Sequence, residues 1–266
     1  MQVPTSLTSG SAGDALVLLH GIGGCAKVWQ PQLDFFSERY TVVAWNMPGY
    51  GGSPRMPEMT FPSLADALEA LLDTLPNKRV HLVGHSMGGM VAQEFLRDRA
   101  RRVASICLYA TSPGLAQPET PAAIKAAAAR AREFMERRIG PLDRGKSMRD
   151  MAESVLDQLL APDAPASARA AAIESISSVP PDVYRDAMRC ILSFDGTAIV
   201  PKITRPTLVI AGGEDRTMTP AVVEAMARQI PGARYEVILR AGHLANLEDS
   251  PAFNRVLSEF LTKLNV

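Results

Sequence analysis

The residues best suited to chemistry gather around Ser86. It stands in the run HLVGHSMGGMVAQEF, which begins at His81, and it lies between Gly84 and Gly88. Val80, Leu82 and Val83 before it suit a buried strand, while Met90, Val91, Phe95 and Leu96 after it recur at helical spacing. A serine on a tight strand-to-helix turn is held in strained backbone geometry, and small residues at Gly84 and Gly88 let neighbouring backbone pass close to it. Such a turn lifts the hydroxyl out of the fold and aims it at a substrate. The spacing predicts a nucleophile at Ser86.

A serine hydroxyl is a poor nucleophile at neutral pH, so it needs a base and a third group to orient that base. The chain has four histidines. His81 lies inside the strand pattern, and His85 adjoins Ser86, where the turn is expected to point neighbouring side chains apart. His20 opens the loop HGIGG and is expected to brace it. His243, in AGHLANLEDSP, closes the last apolar run and precedes a helix, which places it at the carboxyl edge of a parallel sheet, where ligands gather. It is the expected base, a structural histidine being the alternative.

The acid, like the serine and the histidine, should follow a strand. PTLVIAGGEDRTMTP supplies Glu214 and Asp215 after such a strand. Two preceding glycines and a following proline put Asp215 at the loop tip, with Glu214 as the alternative, whereas Glu248 and Asp249 read as helix N-terminal residues. Acyl chemistry also needs two N–H donors for the oxygen that becomes negative. Met87 offers one at the start of its helix, where N–H groups are unpaired and the dipole favours an anion. Ile22 of HGIGG is the expected second, the glycines letting that loop bend back over Ser86.

These groups require a scaffold. From Ala15 to about Tyr109 short apolar runs alternate with amphipathic stretches: ALVLLHG, a helix near Val28–Phe36, YTVVAWN, a helix near Phe61–Leu75, VHLVGHS, a helix, and VASICLYA. Such alternation predicts an α/β fold with a mostly parallel central sheet and helices on both faces. From about 114 to 201 no strand is evident, and PAAIKAAAARAREFMERRIG places Ile124, Ala128, Ala131 and Met135 on one helical stripe. The stretch APDAPASARAAA reads as a turn between helices of this inserted layer. Strand and helix alternation resumes with PTLVIAGGED, a helix near Ala221–Gln229, YEVILRAGH and a helix near Ala252–Leu264. The expected organisation is a core of 1–113 and 202–266, interrupted by a helical cap at 114–201.

Composition narrows the partner. With 266 residues and 47% hydrophobic content, the chain can bury a large core. Lys plus Arg number 28 and Asp plus Glu 28, which removes the broad attraction expected of a nucleic-acid binder and favours a small-molecule substrate. The first fourteen residues lack Lys and Arg, and the apolar run after them is too short for a signal core or a membrane span. The expectation is therefore a cytoplasmic protein with no membrane partner, self-association into a homo-oligomer being left open. Cys25, Cys107 and Cys190 are scattered and odd in number, which fits reduced, buried thiols better than a disulfide framework or a metal site.

HGIGG at His20, NMPGYGGS at Asn46, GHSMGG at Gly84, GGEDRTMTP at Gly212 and AGHLANLEDSP at Ala241, in this order, resemble the α/β-hydrolase superfamily over nearly the whole chain from Ala15. The resemblance implies a serine hydrolase with Ser86 as nucleophile, Asp215 as acid, His243 as base, and Ile22 and Met87 forming the oxyanion hole, with no metal or organic cofactor. Asn46 departs from the Asp usual in the D-x-P-G-x-G-x-S turn, a position that generally braces the fold.

The single cap and SVPPDVYRDAMRCILSFD look most like the bacterial 3-oxoadipate enol-lactonase group of aromatic catabolism. The similar carbon–carbon hydrolases of meta-cleavage products usually carry Asn where this chain has His85. Ester or lactone cleavage is the first expectation, carbon–carbon cleavage the second, and a slow-hydrolase ligand receptor the third. A serine nucleophile argues against haloalkane dehalogenases and epoxide hydrolases, which use aspartate. Of the cap arginines Arg130, Arg132, Arg137, Arg138, Arg149 and Arg189, one could pair with a substrate carboxylate, surface solvation being the alternative for each. Trp29, Trp45 and Met87, Met90, Met135, Met148, Met151 and Met188 are candidates for either apolar lining or core.

Overall fold

A computed structural model describes residues 2–76, 79–114 and 120–264. Strands β1 (Ser6–Ser9), β2 (Ala15–Leu19), β3 (Thr41–Trp45), β4 (Val80–His85), β5 (Val103–Tyr109), β6 (Thr207–Gly212) and β7 (Arg234–Ile238) form, among these residues, one sheet in the order β1-β3-β2-β4-β5-β6-β7. Every pairing is parallel except β1 with β3. β2, β3, β4 and β6 are buried at every position, which is what helices on both faces demand of a parallel sheet and why these runs are continuously apolar.

Helices α1 (Gln30–Phe36), α2 (Phe61–Asp73) and α3 (Met87–Leu96) connect the first strands; α4 (Pro121–Asp143), α5 (Met148–Leu159), α6 (Ala166–Ser177) and α7 (Pro181–Ile191) lie between β5 and β6; α8 (Pro220–Ala227), α9 (Ala245–Glu248) and α10 (Ser250–Lys263) complete the chain. Local chemistry sets their starts. Thr60 and Ser147 make capping boxes with Ser63 and Asp150, and Asp249 caps α10 by accepting from Ala252 N–H at 3.1 Å. Two core layers result. One lies under α2, α3 and the cap, around Trp45, Leu68 and Val91. The other lies under α1 and α10, around Trp29, Phe36 and Phe253.

Four expectations need correction. β1 has no counterpart among the strands expected from the apolar runs, because SLTS is polar and only half-buried on a sheet edge, held by backbone pairing to β3. The helix expected near Val28 opens as a 3₁₀ turn, Ala26–Trp29, before Pro31 starts α1. Only the first part of APDAPASARAAA is a turn; from Ala166 it is α6, since Ala and Arg are good helix formers once past Pro165. In α4, Ile124 and Ala128 are exposed, and the buried face runs instead through Phe134, Met135, Arg138, Ile139 and Leu142. All three cysteines are buried free thiols. No described helix is long and apolar enough to cross a membrane.

Candidate active site

Ser86 occupies the corner between β4 and α3 with φ 50° and ψ −118°, a left-handed conformation costly for a residue with a Cβ. The surroundings hold it there. Ser86 N–H donates to Tyr109 C=O at 2.9 Å, and Ser86 C=O accepts from Gly89 N–H at 2.9 Å and from Thr111 Oγ1 at 2.8 Å. A Cβ on Gly84 would sit 2.6 Å from Gly88 O, and one on Gly88 would sit 2.3 Å from Leu19 O. Both positions therefore require glycine. Gly21 does the same for the facing loop, where a Cβ would come within 2.8 Å of Ser86 Cβ.

The structure brings His243 and Asp215 together: Nδ1 of the imidazole lies 2.7 Å from Asp215 Oδ2. The other carboxylate oxygen accepts from Thr217 N–H at 2.7 Å and Met218 N–H at 2.9 Å, so the carboxylate is fixed from both sides. Asp215 is 3% exposed, whereas Glu214 points to solvent. Ser86 and His243 line one cavity, with no hydrogen bond between the two side chains. Such contacts are often long before substrate arrives. Ile22 lines the same cavity, and Met87 begins α3. Among the described residues no protein group accepts from either backbone N–H.

The remaining histidines are structural. His20 accepts from Met47 N–H through Nε2 at 3.0 Å and donates from Nδ1 to Gly21 C=O at 2.8 Å, bracing the loop as expected. Burial pushes its pKa down to about 4, against the opposing Gly21 bond. His81 pairs with Ser105 Oγ at 2.8 Å inside the sheet. His85 departs from expectation, because its side chain is not turned away but lines the cavity beside Ser86. Its Nε2–H donates to His243 C=O at 2.9 Å, which Tyr109 Oη also reaches at 2.7 Å. Burial, and then the adjacent His243, hold its pKa well below the usual value. It is a neutral clamp on the backbone of His243.

Glu248, expected only to mark a helix end, does more. Buried in the fold, it accepts from Gly242 N–H at 3.0 Å, Leu244 N–H at 3.0 Å and, 87 positions away in the chain, Ala161 N–H at 2.7 Å. Burial raises its pKa and the three N–H groups work against that shift. Nothing in the local sequence announces the Ala161 contact. Asn46 accepts from Ala26 N–H at 2.8 Å and donates from Nδ2 to Thr5 Oγ1 at 2.9 Å and Gly51 C=O at 3.3 Å. The amide thus braces the turn, using a donor that an aspartate lacks.

The cavity measures about 130 Å³. Ile22, Ser86 and His243 form part of its floor, and Phe134, Leu159, Ile176 and Met188 of the cap give it apolar walls. Trp29, Trp45, Met87, Met90, Met148 and Met151 are buried in the core and do not line it. Among the described residues no group of three or more His, Cys, Asp or Glu side chains is placed to hold a metal ion.

A seven-stranded, mostly parallel sheet carrying a serine at its central strand-to-helix corner, with helices inserted after β5, defines a class. The model of the alpha/beta hydrolase fold matches residues 14–250, and the chain belongs to that family. Among its relatives is a protein of Stutzerimonas stutzeri provisionally named carbamate hydrolase RutD, 29% identical over 256 residues, covering 93% of this chain and 91% of the relative. A thermophilic esterase from Thermogutta terrifontis, solved with malate bound, superposes with a TM-score of 0.85 at 27% identity, covering 98% of this chain and 94% of the other. The enol-lactonase from Burkholderia xenovorans superposes at 0.81 with 25% identity, covering 97% and 96%.

Proposed function

We propose that this chain, a hydrolase of the ester and lactone type, works as a serine hydrolase on a small carboxylic ester or lactone. The observation that carries the reading is the His243–Asp215 pair at 2.7 Å opening onto the same cavity as Ser86 in its strained corner. Asp215 holds the proton of His243 on Nδ1, which leaves Nε2 unprotonated and able to accept. Ser86 Oγ attacks the carbonyl carbon as its proton passes to His243, and the new imidazolium is stabilised by Asp215. The oxygen that becomes negative is received by the N–H groups of Ile22 and Met87, which are preset by the glycine loop and the start of α3 and need no reorganisation.

His243 then gives its proton to the leaving oxygen, and an acyl-Ser86 remains. Water activated by His243 attacks that acyl group and restores the serine. The names of the relatives support this reading: a carbamate, an enol-lactone and an ester each join an acyl carbon to a heteroatom that leaves with a proton.

The test is steady-state hydrolysis of p-nitrophenyl esters of increasing acyl length by the protein and by Ser86→Ala. Turnover should fall by several orders of magnitude in the variant, about 10⁶ where such a serine acts in a complete triad. A variant retaining a tenth of the activity would remove Ser86 from this role. Turnover of a meta-cleavage dienoate far above that of every ester would instead favour carbon–carbon cleavage.

A further inference from the structure

The cap arginines are not equivalent. Arg137 pairs with Glu133 at 3.6 Å, Arg149 with Glu153 at 3.3 Å and Arg189 with Asp186 at 3.3 Å, all on exposed surface. Arg130 and Arg132 are exposed on the outer part of α4. Arg138 alone of the six lines the cavity that holds Ser86 and His243, and it takes no carboxylate partner among the described residues. Its position is fixed by helical spacing: Phe134, one turn earlier on α4, lies under the guanidinium with the ring centre 5.9 Å from Cζ. The buried Tyr184 of α7 lines the same cavity, and the Arg138 charge opposes the upward shift that burial gives its pKa.

We infer that Arg138 with Tyr184 forms a carboxylate-binding subsite, so that the preferred substrates are esters or lactones carrying a free carboxylate away from the scissile carbonyl. A half-buried cation on a mostly apolar wall loses hydration without receiving a counter-ion from the protein, and a ligand anion supplies what is missing. A planar guanidinium matches a carboxylate in a two-point bond, and a phenol adds a third donor. One positive charge balances a carboxylate and leaves a phosphate dianion under-compensated, which commits the site to the former. Glutarate, a short dicarboxylate whose second carboxyl stands in for the ester, is the probe for such a site.

This inference rests on the hydrolase reading of the cavity, so its test includes a readout without turnover. Glutarate binding is measured by calorimetry on the intact protein, Arg138→Met and Arg138→Lys, beside kcat/KM for p-nitrophenyl hydrogen glutarate and the neutral p-nitrophenyl pentanoate. Loss of the pair should weaken glutarate binding and lower the acid-to-neutral ester ratio by about 10–100-fold in Arg138→Met, with partial recovery of both in Arg138→Lys. Equal glutarate affinity in protein and Met variant, or no glutarate binding by the protein, overturns the subsite. An equal fall for both esters also overturns it, since that reports a cap that no longer packs. Arg138-dependent glutarate binding without turnover of either ester leaves the subsite standing and sinks the hydrolase reading.

Discussion

Replacing Asp215 by asparagine changes one carboxylate oxygen to an amide, and the structure dictates which one. Thr217 N–H and Met218 N–H point at Oδ1 from 2.7 and 2.9 Å, and two backbone donors cannot face an NH₂ group. The amide oxygen of the new side chain must therefore take that place, which turns its NH₂ toward His243 Nδ1, 2.7 Å from the position it occupies. A donor there forces Nδ1 to accept and moves the imidazole proton to Nε2, the atom that takes the proton of Ser86 in the proposed mechanism. The base is then blocked by tautomer, with its geometry intact. The same exchange of acid for amide in a serine protease lowers kcat by about 10⁴, or about 5.5 kcal/mol of transition-state stabilisation. The assay is steady-state turnover of a p-nitrophenyl ester at pH 7, with urea unfolding to establish that the variant is folded. A folded Asp215→Asn protein within tenfold of the original kcat would refute the tautomer argument and reopen the choice of acid.

Two further outcomes concern the fold around the site. Gly88→Ala places a methyl 2.3 Å from Leu19 O and 2.7 Å from His20 O, both backbone atoms that cannot step aside, so urea unfolding should show a loss of about 2–4 kcal/mol and ester turnover should fall with it. Stability should also drop on acidification: His20 has a folded pKa of about 4 against 6.5 unfolded, so below pH 6.5 the unfolded chain binds a proton the folded one refuses. At pH 5 this one residue should cost about 2 kcal/mol relative to pH 7 in urea titrations, the loss levelling off once the pH falls through the folded value. His81 and His85, also shifted downward by burial, add in the same direction. A flat stability between pH 7 and 5 would contradict the buried neutral state of all three.

Much of this is legible in the sequence because it is local. A serine flanked by glycines after Val80–Val83, or an aspartate following Thr207–Ala211 and two glycines, carries its own turn chemistry, and the apolar runs fix the strands that place both. Edge strand β1 is not legible because its stability comes from backbone bonds to β3 and not from side-chain pattern. Nor are the roles of His85 and Glu248, whose work is done through His243 C=O and Ala161 N–H, partners set by tertiary packing across 158 and 87 positions. Arg138 shows the same limit from the other side: the sequence does not distinguish it from Arg130, Arg132 and Arg137 on the same helix, and only the orientation of α4 separates the one in the cavity from those on the surface.

The way α5 ends joins the cap to the chemistry. The last carbonyls of a helix have no partner within it, and Leu156 C=O is satisfied by Leu160 N–H as the turn closes. The next three are taken by the two loops that carry Asp215 and His243: Asp157 C=O accepts from Arg216 at 2.9 Å, Gln158 C=O from Thr217 Oγ1 at 3.4 Å, and Leu159 C=O from His243 N–H at 2.6 Å. Ala161 N–H then reaches Glu248, which also holds the N–H groups on either side of His243. On the opposite wall Ser175 of α6 donates to Gly23 C=O at 2.9 Å in the loop that carries Ile22. The cap thus completes the supports of Asp215, His243 and the Ile22 loop as well as roofing the pocket. Changes that reshape substrate choice through Phe134, Arg138 or Tyr184 act on α4 and α7, away from these anchors, and can vary the pocket without moving Asp215 or His243. Changes at the α5–α6 corner cannot, because the carbonyls and N–H groups there are hydrogen-bond partners of the loops that carry Asp215 and His243.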